Sequence, residues 1–321
     1  MNERKKAYAA LFATVLFWGF SFISTKIALA VFPPMSLGML RFAIAVIFLF
    51  FIKQKLAPEE KLNLKTIPRL FAAGFSGVTM YFFFENNGIA LVSASEASIV
   101  VSSIPVLIMI TDRIIGKIKK EPVNFKSSQW VGCFVSIGGV WLVAGVSFAI
   151  SGSILGYIYM TGAAFSWVIY SFLTRSLFKS HSVIFIVFWQ SVAGFICFIP
   201  FSVMEFQNWG QPSSGVIIHL LFLGILCSAI GHWFYVLAIE NLNVSVSGIF
   251  LNLIPLVTVA AGFFALGERL APMQWCGAAL VIGGVTLAGW KQKTTVKKPT
   301  VDKAAVGTAT VDKATVDSYL T

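Results

Sequence analysis

Three stretches without a single Asp, Glu, Lys or Arg constrain this chain more than any motif does. They cover residues 127–174, 206–239 and 241–267, which are 48, 34 and 27 residues long. A bilayer-crossing helix needs roughly 20 mostly apolar residues. In lipid each backbone amide must find an internal partner, so such segments are helices. Composition agrees: 12% of the 321 residues are charged and the mean hydropathy is +0.84, whereas a soluble domain carries about 25% charged residues. A conventional soluble enzyme and a disordered chain are both excluded. The chain reads as an all-α polytopic membrane protein.

Ten spans are expected, at roughly 8–31, 35–52, 68–91, 96–115, 129–147, 154–175, 182–204, 215–239, 245–266 and 272–290, with Pro- and Ser-rich breaks between them. The basic N-terminus runs into an apolar stretch too long for a cleaved leader, so it reads as a retained first span. With ten spans, 21 of the 24 Lys and Arg fall on one side of the membrane; Arg269 falls on the other, and Lys26 and Arg41 lie inside spans. That bias puts both termini in the cytoplasm. It also accounts for the net charge of +11 without nucleic acid, because the cations cluster between apolar spans. The segment 292–321, with its near-repeats of Thr-Val-Asp-Lys-Ala, reads as a disordered cytoplasmic tail.

Residues 129–145 (QWVGCFVSIGGVWLVAG) and 274–290 (QWCGAALVIGGVTLAGW) match at 8 of 17 positions. Ser102 to Val106 align with Asn252 to Leu256 at an offset of 150, and Trp18 and Lys26 align with Trp167 and Arg175 at 149. The chain therefore divides into a five-span half, 1–149, and a second, 150–291. An odd number of spans per half inverts the second half in the membrane. Inverted repeats are how secondary transporters build two exchanging conformations around a central site.

Candidate site residues follow from charge and helical spacing. Lys26, Arg41 and Glu85 sit at similar depths, roughly 8–11 Å below one boundary at 1.5 Å per residue. Intramembrane charges usually face a bundle interior or an aqueous cavity. Trp18, Phe22 and Lys26 recur every four residues, as do Tyr81 and Glu85. With Trp167, Tyr170, Tyr235 and Asn252 they are the expected substrate-binding set. Glu85 and His232 are the proton-coupling candidates. Packing, interface anchoring or snorkelling would also accommodate these residue types. Pro105 and Pro255 are expected to kink spans 4 and 9, and the pairs Gly138-Gly139 and Gly283-Gly284 to mark close helix packing. No catalytic constellation, phosphate-binding loop, metal-ligand set or cofactor motif occurs. The four cysteines, all in apolar segments, read as buried packing residues. The expected partners are a small-molecule substrate and membrane lipid; the sequence leaves monomer and homodimer open.

The first span reads Phe17-Trp18-Gly19-Phe20-Ser21-Phe22 and is followed by Lys26, Pro33-Pro34 and Arg41-Phe42. Pro105, Pro255, the Leu266-Gly267-Glu268-Arg269-Leu270 turn and the two closing Gly-Gly segments follow in order. Over residues 8–290 this resembles the EamA-type ten-span members of the drug/metabolite transporter superfamily. The resemblance implies a carrier in the plasma (inner) membrane, often one that exports amino acids or related metabolites. Carriers of sugars, nucleotide sugars or lipophilic drugs use the same fold, and a membrane-embedded enzyme is the reading outside transport. The second half departs from the first-half pattern: Gln190 replaces Arg41 and Tyr235 replaces Glu85.

Overall fold

The computed structural model describes residues 3–92, 97, 100–121, 124–144, 153–266 and 272–289. The tail 292–321 and the turn residues 267–270 lie outside them. Ten helices occur among the described residues: α1 (Glu3–Leu29), α2 (Pro34–Leu56), α3 (Leu64–Leu91), α4 (Ile104–Ile118), α5 (Ser127–Ala144), α6 (Ile154–Arg175), α7 (Val183–Asn208), α8 (Ser214–Leu242), α9 (Val244–Phe250 continued by Ile254–Leu266) and α10 (Pro272–Gly289). Six of them, α1, α2, α3, α6, α7 and α8, are long and apolar enough to cross a bilayer. Pro105 and Pro255 are each the second residue of a helical segment, beginning at Ile104 and Ile254. Each occupies a first turn, which has no use for the missing amide hydrogen, and in α9 the tight 3₁₀ turn Leu251–Leu253 immediately before Pro255 distorts an otherwise continuous helix.

The two halves interlock through equivalent contacts. α1 packs on α8, and its counterpart α6 packs on α3; α2 packs on its own counterpart α7, and α5 on α10. α2 and α7 run antiparallel, and a carboxylate near the end of each, Glu60 just beyond α2 and Glu205 in the last turns of α7, caps the start of the other. Glu205 accepts from the Ser36 amide at 2.8 Å and from its hydroxyl at 2.9 Å. Glu60 accepts from the Ser182 amide at 3.0 Å, from the Ser182 hydroxyl, and from His181 Nδ1 at 3.0 Å. Carboxylates satisfy the bare first-turn amides and complement the helix dipole. Burial would raise the Glu60 carboxyl, but the hydrogen bonds from His181 and Ser182 outweigh it and hold the group below the ordinary carboxylate range.

α5 and α10 approach closely through glycines. A methyl on Gly139 would stand 2.7 Å from Gly277 O and from Val281 N, and one on Gly284 would stand 2.6 Å from Gly132 O and from Ser136 N. The other glycine of each pair, Gly138 and Gly283, faces open space. Only the second member of each pair therefore packs against the partner helix.

Candidate functional site

α3 and α8 each contain a wide, π-helical segment, Phe75–Met80 and Phe222–Gly231. The offset of 150 places the first on residues 225–230 of the second. Such segments shift helical register and recur at functional sites. In α8 the wide segment holds groups from two other helices. Cys227 O accepts from Trp18 Nε1 at 3.1 Å and from His232 Nδ1 at 3.2 Å. Ser228 Oγ accepts from Arg41 Nε at 2.9 Å.

Beside this segment lies a small, partly open cavity between the helices. Trp18, Ser21 and Phe22 line it from α1, Arg41 from α2, and Tyr81, Phe82 and Glu85 from α3; Val101, Trp167 of α6, His232 of α8 and Ile254 of α9 complete the wall. Both halves contribute, and the repeat counterparts Trp18 and Trp167 meet edge-on at 5.1 Å between ring centroids. Trp167 Nε1 donates to the Tyr235 hydroxyl at 3.1 Å, and Tyr170 packs on Trp167 at 5.0 Å.

The charged groups are deeply buried. Arg41 is 2% exposed, Glu85 7% and His232 3%. The Arg41 guanidinium lies 4.2 Å from the Phe82 ring centroid, a cation–π contact that partly offsets desolvation. Glu85 Oε1 accepts from the Tyr81 hydroxyl at 2.8 Å, one helical turn away. Arg41 Nη1 and His232 Nε2 have no hydrogen-bond partner among the described residues.

Of the residues singled out by sequence, Trp18, Phe22, Arg41, Tyr81, Glu85, Trp167 and His232 meet at this cavity, with Tyr170 and Tyr235 directly behind Trp167. Lys26 and Asn252 are not in the wall. Lys26 is exposed: at about 100° per residue, eight residues beyond Trp18 leave it about 80° further around α1. Asn252 is buried and donates to Ser136 Oγ at 2.6 Å, joining α9 to α5. Ser21, Phe82, Val101 and Ile254 are lining residues that the sequence pattern did not single out. Ser228 was also missed, although a hydroxyl four residues before His232 in an apolar span was a readable signal.

Nearer the end of the bundle where α1 begins, Arg175 of α6 meets Asp112 of α4 at 2.9 Å, and Ser245 of α9 donates to the same carboxylate at 3.3 Å. This bridge joins the halves on the far side of the Trp167–Tyr235 layer from Arg41 and Glu85.

Ten helices in two interlocked halves, with buried charge and aromatic rings at their junction, define a polytopic membrane transporter rather than an enzyme. The chain belongs to the EamA-like transporter family, whose profile matches it twice, over residues 5–145 and 154–290. It is similar to an uncharacterized transporter of Archaeoglobus fulgidus, at 29% identity over 87% of this chain and 97% of that protein. It is also similar to an uncharacterized inner membrane transporter of Escherichia coli, YedA, at 22% identity over 87% and 89%. A probable terminal-alkyne amino-acid exporter of Streptantibioticus cattleyicolor is 24% identical over 88% and 93%. A crystal structure with 18% sequence identity superposes with a TM-score of 0.75, covering 89% of this chain and 97% of that one, and shares its fold.

Proposed function

We propose that this protein is a secondary, alternating-access carrier that exports amino acids or related amphipathic metabolites across the plasma membrane, with both termini in the cytoplasm. The observation that carries the reading is the cavity itself. It joins Arg41, Glu85 and His232 to the rings of Trp18 and Trp167 at the junction of the halves. An anionic group, a cationic group and an apolar side chain each find a complement there. The amino-acid exporter among the similar proteins and the charge bias of the connections support it further. Glu85 and His232 are the proton-coupling candidates, as the carboxyl and imidazole groups of that wall.

The test is counterflow in proteoliposomes of purified protein loaded with the proteinogenic amino acids and presented with the same mixture in labelled form. Accumulation of label, reduced in Trp18→Ala and Trp167→Ala, is the expected result. No amino-acid counterflow alongside counterflow of nucleotide sugars would replace this substrate class with the other.

A further inference from the structure

Two residues of the cavity wall, each more than nine-tenths buried, carry a polar atom with no hydrogen-bond partner among the described residues, and the two atoms are of opposite kind. Arg41 is fixed by its Nε hydrogen bond to Ser228 Oγ and by the Phe82 ring, leaving Nη1 as a charged donor without an acceptor. His232 is fixed through Nδ1. Its partner there is a carbonyl oxygen, Cys227 O, which can only accept. Nδ1 therefore carries the hydrogen, and in the neutral ring the unpartnered Nε2 is a lone pair. Both anchors, Cys227 O and Ser228 Oγ, are adjacent residues of the same wide segment of α8. One local distortion of that helix thus positions a donor and an acceptor together.

We infer that the cavity recognises its ligand as a zwitterion: Arg41 Nη1 meets a carboxylate, and His232 Nε2 accepts a hydrogen from an ammonium group. This rests on the proposed amino-acid transport and assigns the atoms that would select for it. Glu85, held by Tyr81, supplies the negative charge that balances the ammonium. A buried donor or acceptor without a partner destabilises the empty site, and a ligand that satisfies both recovers that loss. A ligand with only a carboxylate leaves Nε2 bare, and one with only an amine leaves Nη1 bare. Sites built around such pairings reject analogues that lack one partner far more strongly than apolar pockets reject a missing methylene. His232 acts here as a specificity residue, and the wide segment of α8 as its positioning element.

The experiment uses the same labelled amino-acid mixture in counterflow, with two competitor mixtures made from it. One holds the corresponding deaminated acids and the other the corresponding decarboxylated amines. In the parent protein each should compete at least roughly tenfold more weakly than unlabelled amino acids, the ratio set by one charge-assisted hydrogen bond. His232→Phe should bring the deaminated acids to within about threefold of the amino acids, and Arg41→Gln should do the same for the amines. Each variant is first checked for its melting temperature in detergent; if one does not fold, the other variant and the parent competition still decide. Robust amino-acid counterflow in which either analogue mixture competes equally in the parent overturns zwitterion recognition and leaves the proposed function standing. No amino-acid counterflow in the folded parent removes both.

Discussion

Placing a methyl group on each of two neighbouring glycines should move stability in opposite directions. In Gly139→Ala the new carbon would sit 2.7 Å from Gly277 O and Val281 N of α10. Those are backbone atoms of a packed helix, so neither can rotate away. Ordinary contact begins near 3.4 Å, so α5 and α10 must part by several tenths of an ångström along their whole interface. Overpacking of this kind costs about 1–3 kcal/mol, against about 1 kcal/mol returned by alanine's better helix propensity. In Gly138→Ala the carbon meets nothing within 4 Å, so only the propensity gain remains. The two variants should therefore differ by about 1–3 kcal/mol, with Gly139→Ala less stable than the parent and Gly138→Ala equal to it or more stable. Gly284→Ala and Gly283→Ala should repeat the contrast in the second half. Thermal melting of purified protein, followed by fluorescence-detected gel filtration, reads the order directly. Equal shifts for Gly138→Ala and Gly139→Ala would refute the close approach of α5 and α10.

Glu85→Gln should cut transport more than it cuts folded protein in the membrane and should flatten the pH dependence of counterflow; unchanged rate and unchanged profile would make Glu85 a structural residue. Glu60→Ala should lose roughly 1 kcal/mol at neutral pH, the usual worth of a helix cap. Because the folded carboxyl lies below the ordinary range, that stability is fully present above the unfolded value and is lost as pH falls through the folded one. The gap between Glu60→Ala and parent melting temperatures should accordingly close on acidification, and a gap that widens would contradict the sign. Arg175→Gln removes the partner of a largely buried carboxylate, worth about 1–3 kcal/mol. It should raise labelling of a cysteine placed at Ser245 by a membrane-impermeant maleimide, and labelling that stays at the parent level would show that the bridge does not hold that end together.

The helices were legible because lipid imposes one rule on every span: an apolar run of sufficient length must be a helix. The uncharged stretches and the repeat located them to within a few residues. The site was legible where helical spacing alone decides placement. Tyr81 and Glu85, four apart, do share a face and a hydrogen bond, and Trp18 and Trp167 do meet. Spacing misled where small errors accumulate, as at Lys26, where the drift over two steps of four turned the side chain out of the wall. It was silent where a distortion decides. Nothing in the apolar run 222–231 announces that its turns widen, yet that widening positions Arg41 and His232. The Gly-Gly pairs show the same limit, since sequence marks both residues and only the packed helices distinguish the one that touches.

The repeat that builds two matching halves also exposes where they differ. Arg175 at the end of α6 and Lys26 near the end of α1 are counterparts by sequence offset. Arg175 is bound to Asp112, a largely buried carboxylate that Ser245 also holds. By the offset of 150, the position equivalent to Asp112 in the second half is Gly262, which offers no carboxylate. Lys26 accordingly stands exposed. Among the described residues, ion pairs join the halves at one end, Asp112–Arg175 and Glu60–His181, whereas at the other end the Glu205 carboxylate meets the neutral Ser36. Arg41 and Glu85 lie toward the second end, about 9–11 Å from the nearer helix termini at 1.5 Å per residue. In the proposed alternating-access cycle, inverted halves with matching contacts at both ends would have no energetic preference between the two arrangements. The Asp112–Arg175 bridge, which has no sequence counterpart at the Lys26 end, makes the two ends unlike and so distinguishes the two arrangements of that proposed cycle.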